Sequence, residues 1–320
     1  MEKYYSISPI CEPGGIGSGF FSNYRICLEK LVDFHQMNRT ENVYINWANT
    51  TFVDGFNPLV QYGKIIGGEM PIDDSNNPFN QWFEQENPYK LDVPIDNIIL
   101  SDMRRSGHIN HAEDYFDDPS LELQQFVDRK YIKIKDEIQQ KVDSIYQEHF
   151  DGHTVLGVML RGSEFNYHHG NIYGHQTIDS YISAIKKVLL GNPQITKLFI
   201  VSDETEYVNK TSDAFPSSYF IPNIFRRTDE TDEYIIRVHC WMNVSKKREN
   251  HCKLLGEETI IQTKLLSKCD YLFGRHCGII AGAVLWNENI KKVFRLSPTP
   301  NRKEHNFFNK IKMNKKIYSK

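Results

Sequence analysis

The clearest order along the chain lies in its second half, where short apolar runs alternate with amphipathic stretches. Residues 154–161 form a strand-like run through Leu156, Val158 and Leu160, and a helix-period stretch follows at 177–190 after a loop at 162–176. Asn192-Pro193 breaks the chain, and KLFIVSD (197–203) reads as the next strand. Beyond a short helical stretch come the strand SYFIPN, a polar region at 226–233 and the strand YIIRVHC. Helix 256–267, strand CDYLFG (269–274), helix 277–286 and strand KKVFRL (291–296) complete the series. Strands alternating with helices predict a mainly parallel α/β sheet.

The first half begins in the same way. A strand-like YYSISPI is followed by the turn-rich Glu12-Pro13-Gly14-Gly15-Ile16-Gly17-Ser18-Gly19. FFSNYRICLEKLVDFH then carries apolar residues at helical spacing, and NVYINWA (42–48) alternates like a strand, which outlines a βαβ unit. Residues 49–118 are rich in Asn, Pro, Asp and aromatics and predict loop-heavy structure around one strand, NIILSDM. Residues 121–149 predict a long helix, whole or broken near Tyr131, with Ile134, Ile138, Val142 and Ile145 on one stripe. Asp151-Gly152 ends it and marks the expected boundary between an N-terminal domain (1–150) and a C-terminal one (151–300). The basic tail, 301–320, is expected to be a terminal helix or a frayed end.

Composition narrows the function classes. The 320 residues are 40% hydrophobic and 25% charged with a net charge of -3, so the chain is a folded globular one with no electrostatic case for nucleic acid. No basic-then-apolar leader and no run near the roughly 20 apolar residues of a membrane span is present. Cys11, Cys27, Cys240, Cys252, Cys269 and Cys277 form no CxxC pair, which favours reduced thiols and a cytoplasmic setting. Three His-Cys dipeptides end at Cys240, Cys252 and Cys277, but neighbours on a strand point to opposite faces, so no metal site is expected from them.

Candidate chemistry sits in four loops at the carboxyl ends of predicted strands, where open α/β sheets bind ligands. Gly14, Gly15 and Gly17 let backbone approach a ligand ahead of a helix start. Arg161-Gly162-Ser163-Glu164 delivers a planar cation suited to phosphate, with a hydroxyl and a carboxylate beside it. Ser202-Asp203-Glu204 stands where a helix cap would be expected, so capping by Ser202 or Asp203 competes with a ligand role. Gly274-Arg275-His276-Cys277-Gly278 opens a helix of small residues, which can receive phosphate or pack closely on a sheet. The chain has no Asp-x-Asp, so a departing diphosphate would rely on arginine rather than a metal for its positive charge.

Taken together these segments resemble the GDP-fucose-dependent fucosyltransferases of GT-B fold, a group that includes the α-1,6-, nodulation and protein O-fucosyltransferases. LGVMLRGSEF, LFIVSDE and LLSKCDYLFGRHCGIIAGAV follow the order and spacing of that family's motifs over about 150–296, and GGIGSGFFSNY resembles its glycine-rich first loop. The resemblance implies two Rossmann-like domains facing across a cleft. It implies an inverting, metal-independent transfer of fucose from GDP-fucose, with no cofactor, to a hydroxyl of a glycan or protein acceptor. Arg161 would bind the diphosphate, with Gly162, Ser163, Ser202, Asp203, Arg275, Cys277, Gly278 and the first-loop glycines around the donor. Glu164 and His169 are the general-base candidates, and NPFNQWFEQENPY in the first domain is the expected acceptor surface.

The departures are specific. Met159 replaces the family's histidine, Gly162 its second arginine, as in some members, Glu164 its aspartate, Cys277-Gly278 its frequent Ser-Ser, and Gln262 an aspartate that holds the nucleotide in α-1,6-fucosyltransferases. Two alternatives therefore stand beside the transferase: an enzyme of the same fold using another nucleotide sugar, and a nucleotide- or sugar-binding protein without turnover. An oxidoreductase built on GGIGSG is disfavoured, because the dinucleotide fingerprint is incomplete.

Overall fold

The computed structural model describes residues 3–7, 19–47, 50, 77–85, 98–100, 120–162, 176–226, 248–275, 277–287, 289–296 and 311–313. The chain divides into two compact units, Met1–Gln139 with Val238–Thr259, and Gln140–Arg237 with Ile260–Lys320.

The first unit is built on a small parallel sheet. Strand β1 (Tyr4–Ile7) leads through the glycine loop to helix α1 (Phe20–Gln36) and back to β2 (Asn42–Ile45), which pairs parallel to β1. This is the βαβ unit that the alternation predicted. Helix α2 (Phe79–Trp82) runs into β3 (Phe83–Gln85), and β4 (Ile98–Leu100) pairs parallel to β1 on its other side. The sheet order is thus β2-β1-β4.

Helix α3 (Leu121–Tyr131) follows, and then β5 (Ile132–Ile134) pairs antiparallel with β3. The stretch 121–149 is therefore two helices with a strand between them. Ile132-Lys133-Ile134 alternates apolar and polar, and both isoleucines are β-branched, so the segment meets a waiting strand better than it continues a helix.

Aromatic side chains make this unit's core. Phe20, Trp47, Phe79, Trp82 and Phe83 are all buried, with ring centroids 4.6–6.2 Å apart in mostly edge or tilted pairs. Asn77 holds the entry to α2: its carbonyl accepts from the backbone N–H of Trp47 (2.9 Å) and Phe79 (3.1 Å), and its amide donates to the Ile45 carbonyl (2.8 Å). The aromatics of NPFNQWF, expected as acceptor surface, are core residues instead. A composition rich in aromatics does not by itself separate a binding face from an interior.

The second unit opens with α4 (Asp136–His149), most of which lies within it, and β6 (Val155–Leu160), buried at every position. Helix α5 (Ile178–Leu190) starts at Thr177, whose side chain accepts from the Ser180 N–H, and buries Ile178, Tyr181, Ala184, Ile185 and Val188 at helical spacing. Strand β7 (Lys197–Ser202), helix α6 (Thr205–Ala214) and the two-residue β8 (Ser218–Tyr219) follow. The predicted strand YIIRVHC lies outside the described residues. Helix α7 (His251–Ser267) has its first part in the first unit and its last part in the second. It leads to β9 (Tyr271–Gly274), α8 (Gly278–Leu285) and β10 (Lys292–Leu296). The tail contributes a short strand, β11 (Ile311–Met313), rather than a helix, antiparallel to β10.

The six strands lie in the order β11-β10-β9-β6-β7-β8, all parallel except β11. Pleating sends Leu156, Val158 and Leu160 with Tyr271 and Phe273 to the face covered by α5 and α6, where they join Tyr181, Ile185 and Val208 in one core. Gly157 faces the opposite side, and a Cβ there would lie 2.7 Å from Leu266, 2.9 Å from the Cys269 sulfur and 2.9 Å from Leu272. The helix-to-sheet approach on that face thus depends on the missing side chain. Among the described residues no helix is long and apolar enough to cross a membrane.

Two expected outcomes follow from this packing. Gly157→Ala lowers stability by about 1–3 kcal/mol through overpacking against α7 and β9, measured by urea denaturation. Burial also pushes the Cys27 thiol up to about 12 and raises that of Cys269. A raised folded value means the native state keeps protons that the unfolded chain releases, so this stabilisation is complete below the ordinary thiol range and is lost as pH climbs toward about 12 at Cys27. Urea midpoints should fall between pH 8 and pH 10.5, less steeply in Cys27→Ala.

Candidate nucleotide-binding site at the sheet switch point

Within the parallel sheet, β6 connects to β7 and then β8 on one side, while β9 and β10 lie on the other. The gap between the carboxyl ends of β6 and β9 is therefore the topological switch point, where crossover connections part in opposite directions and leave a crevice. Arg161 leaves β6 there, Arg275 leaves β9, and Asp203 leaves the adjoining β7. The sheet brings together residues 42 and more positions apart in sequence because parallel register holds Met159 beside Gly274 and Leu160 beside Ser202.

The Arg161 guanidinium pairs with the Asp203 carboxylate at 2.8 Å, the two side chains being 20% and 4% exposed. The other Asp203 oxygen accepts from the Gly162 N–H at 3.4 Å. One carboxylate thus fixes both the side chain and the following backbone of the β6 loop. Neither Ser202 nor Asp203 caps α6: Glu204 is the residue before its first turn and makes no side-chain cap bond. Instead the Ser202 hydroxyl accepts from the Glu204 N–H at 3.2 Å, a local turn that leaves Asp203 directed at the neighbouring strand.

Glu204 is buried and its carboxylate lies against the α-carbon of Gly162, so closely that any side chain at 162 would collide with it. The glycine at this position and the glutamate on the next strand are therefore matched in space. Arg275 is 3% exposed, and burial lowers its affinity for its proton, with the nearby Arg161 charge acting in the same direction. Cys277, half-buried, is the residue before α8 and makes no side-chain cap bond, and Gly278 opens the helix. Burial raises the Cys277 thiol, against the opposing pull of the Arg161 charge, so it is a neutral thiol and not a ready nucleophile.

Of the residues singled out from the sequence, the sheet gathers Arg161, Gly162, Ser202, Asp203, Arg275, Cys277 and Gly278 at one edge. Gly14, Gly15, Gly17, Ser163, Glu164 and His169 lie outside the described residues. Glu204, named with the third loop but given no role, belongs to the same cluster, and so does Tyr181, which was not singled out. Tyr181 sits on α5, fully buried, with its hydroxyl 3.4 Å from the Arg161 carbonyl oxygen. Its helical periodicity marks it as core, and only its phenol, at the carboxyl edge of the sheet, could have signalled more. Among the described residues no group of three or more His, Cys, Asp or Glu side chains could hold a metal ion.

Arginines from two strands at a switch point, with a following helix start, are chemically suited to a compact anion such as a nucleotide diphosphate. The fold is that of the GT-B class, two α/β units each built on a parallel sheet. It is similar over 92% of this chain to the NodZ α-1,6-fucosyltransferase in a crystal soaked with GDP-fucose, with a TM-score of 0.53, 16% identity and 95% of that chain covered. The fucosyltransferase NodZ from Bradyrhizobium gives the same TM-score and identity with 96% of that chain covered.

In sequence, 103 residues are 31% identical to nodulation protein Z of Sinorhizobium fredii, covering 30% of this chain and 31% of the relative. Nodulation protein Z of Bradyrhizobium diazoefficiens matches over 107 residues at 29% identity, 30% of this chain and 27% of that one. The sequence match thus spans under a third of these curated relatives. No protein-family profile matches the chain. In fold and in sequence, then, the chain resembles the GDP-fucose-dependent fucosyltransferases that its motifs suggested.

Asp203→Ala is expected to lower stability by about 1–3 kcal/mol, since it leaves the partly buried Arg161 without this partner and the Gly162 N–H without its acceptor. Asp203→Asn should recover part of the loss by retaining an acceptor for that N–H, and urea titration of the two variants measures the difference.

Proposed function

We propose that the protein is a glycosyltransferase that moves fucose from GDP-fucose to a hydroxyl group of a glycan or protein acceptor. The observation that carries this reading is the position of Arg161 and Arg275 at the β6/β9 switch point, on a fold similar to that of an α-1,6-fucosyltransferase whose crystal was soaked with GDP-fucose. Relatives named nodulation protein Z support the same donor.

In this reading the reaction is a single displacement with inversion. The acceptor oxygen attacks the anomeric carbon, the bond from that carbon to the diphosphate breaks, and GDP leaves with the bonding electrons. Charge accumulates on the departing diphosphate, and a cation already in place stabilises it without reorganisation. Arg161 has that role, oriented by Asp203, and Arg275 with the backbone N–H groups at Cys277 and Gly278 completes the anion site. Positive charge from two arginines supports a metal-independent departure, as does a sequence with no Asp-x-Asp.

The acceptor proton passes to a general base, for which Glu164 and His169 in the loop after Arg161 are the candidates. Gly14, Gly15 and Gly17 would close over the pyrophosphate, and Ser163 and Ser202 would contribute on the donor side. The first unit, Met1–Gln139 with Val238–Thr259, would then be the acceptor-side region and the second, Gln140–Arg237 with Ile260–Lys320, the donor-binding one. The free thiols of Cys27, Cys269 and Cys277 support a cytoplasmic setting.

Calorimetric titration with GDP, UDP and NAD, with and without EDTA, tests the reading. Selective, EDTA-insensitive GDP binding is expected. Arg161→Ala should weaken it at least about 30-fold, the scale of a lost charge-assisted bidentate contact, and abolish transfer while the chain still unfolds in a cooperative thermal transition, shifted down because the buried Asp203 carboxylate loses this partner. Near-normal turnover in that variant would sink the mechanism, and a preference for UDP would favour a transferase using another nucleotide sugar.

A further inference from the structure

The first unit holds a polar group that its own fold leaves unanswered. Asn23 lies on α1 and is fully buried, and among the described residues neither its Nδ2 nor its Oδ1 has a hydrogen-bond partner. Two other carboxamides of this unit are saturated. Asn77 accepts from two backbone N–H groups and donates to the Ile45 carbonyl and the Tyr44 hydroxyl. Gln85 accepts from the Ile45 N–H at 2.6 Å and donates to the Ile45 carbonyl and to Asn80. A buried carboxamide without partners costs free energy that a leucine of similar size would not.

Topology puts Asn23 at the end of the sheet where ligands bind. Because β1 and β2 are parallel and joined by α1, the helix begins at the carboxyl edge of both strands. β2 lies on one side of β1 and β4 on the other, so the connections part at the end of β1, as they do at β6 in the larger sheet. Asn23 shares a helix face with Phe20, one turn before it, and Cys27, one turn after. Both touch Trp47, just past the end of β2: the Phe20 ring lies 5.1 Å from the indole, and Cys27 Sγ accepts from the indole N–H at 3.2 Å. Helical side chains lean toward the helix N-terminus, which directs the Asn23 carboxamide at the start of α1. There Gly19 supplies no capping side chain, and the first turn holds no acidic residue.

A ligand that satisfies this residue must bring a donor for Oδ1 and an acceptor for Nδ2. A phosphate or a carboxylate offers acceptors only and would leave Oδ1 bare. Two neighbouring hydroxyl groups of a sugar ring meet both needs, and an aromatic surround with one placed polar group suits a small neutral ligand. We propose that Asn23 is a binding residue whose carboxamide takes two neighbouring hydroxyls of a neutral sugar at the carboxyl edge of the first unit's sheet. That this sugar is the acceptor rests on the fucosyl-transfer reading; the site itself rests on the placement and burial of Asn23 alone. A lone serine or threonine hydroxyl could reach both atoms only through bent bonds, so the carboxamide selects a glycan over a protein side chain.

Ligand-observed NMR tests the site, with methyl glucoside, methyl galactoside and methyl mannoside as neutral probes. Inorganic phosphate serves as the anionic control and a serine peptide as the single-hydroxyl control. The wild-type chain is expected to bind at least one glycoside. Asn23→Leu should weaken that binding roughly 10-fold, the scale of two hydrogen bonds, and leave GDP affinity within about twofold. Its urea midpoint should hold or rise, because a buried polar group without a partner has been removed. Asn23→Asp keeps the shape and removes the two donors, so it should weaken the same glycoside even if the leucine variant does not fold.

A leucine variant that loses stability and keeps its glycoside affinity would mark Asn23 as a fold residue bonded to buried water, and would overturn the proposal. Unchanged glycoside affinity in Asn23→Asp would overturn it as well. So would a wild-type chain that binds none of the glycosides, or one whose Asn23-dependent ligand is phosphate or the serine peptide. Glycoside binding that is lost in both variants, in a chain that does not bind GDP, would keep the sugar site and sink the transferase reading. GDP binding with no glycoside binding would do the reverse.

Discussion

Strand β6 is buried at every position, with helices on both faces and a strand on each side, so its side chains must be apolar from Val155 to Leu160. Polar chemistry has no place along it and can begin only where the strand stops. The same constraint applies to β7 and β9, which flank it and end at nearly the same level. Arg161, Ser202 with Asp203, and Arg275 are consequently gathered at one edge as a direct result of what the sheet interior excludes. Gly157 belongs to the same constraint, because α7 approaches β6 across a position with no side chain. The site exists because three central strands run parallel, in register and fully covered.

At that edge the charges are arranged so that each cation has a defined direction before any ligand arrives. Asp203 takes one side of Arg161 and one N–H of the loop beyond it. Glu204 occupies the space over Gly162 that a second arginine side chain would need. The glycine at position 162 and the glutamate on the neighbouring strand are thus matched in space. Arg275 lies on the strand across the switch point.

The parts of the fold that could be read in the sequence are those where one signal dominates. Strands β6, β7, β9 and β10 are uninterrupted apolar runs ended by Gly, Asp or Arg, and α5 has a full helical stripe, so the parallel sheet was legible. The break at Ile132–Ile134 was not, because isoleucine at 134 and 138 also satisfies a helix period, and only the partner strand β3, distant in sequence, decides between them. The run from Asn77 to Phe83 misled for a related reason: Trp and Phe serve a core and a binding face equally well, and burial is a tertiary fact. Asp203 was legible as a site residue but not as the partner of Arg161, since a Ser-Asp before a helix reads first as a cap. Tyr181 was hidden because a core periodicity describes the ring and says nothing about where the hydroxyl ends.

The two borders of the larger sheet are treated unequally. On one side the last strand, β8, is only two residues long, and on the other the tail returns as β11 to cover β10 in antiparallel register. Among the described residues neither border offers a long row of free backbone donors and acceptors to another molecule. The colloidal behaviour of the protein is thereby tied to residues 311–313: removing them would uncover Phe294, Arg295 and Leu296 of β10, and the first sign would be turbidity on concentration.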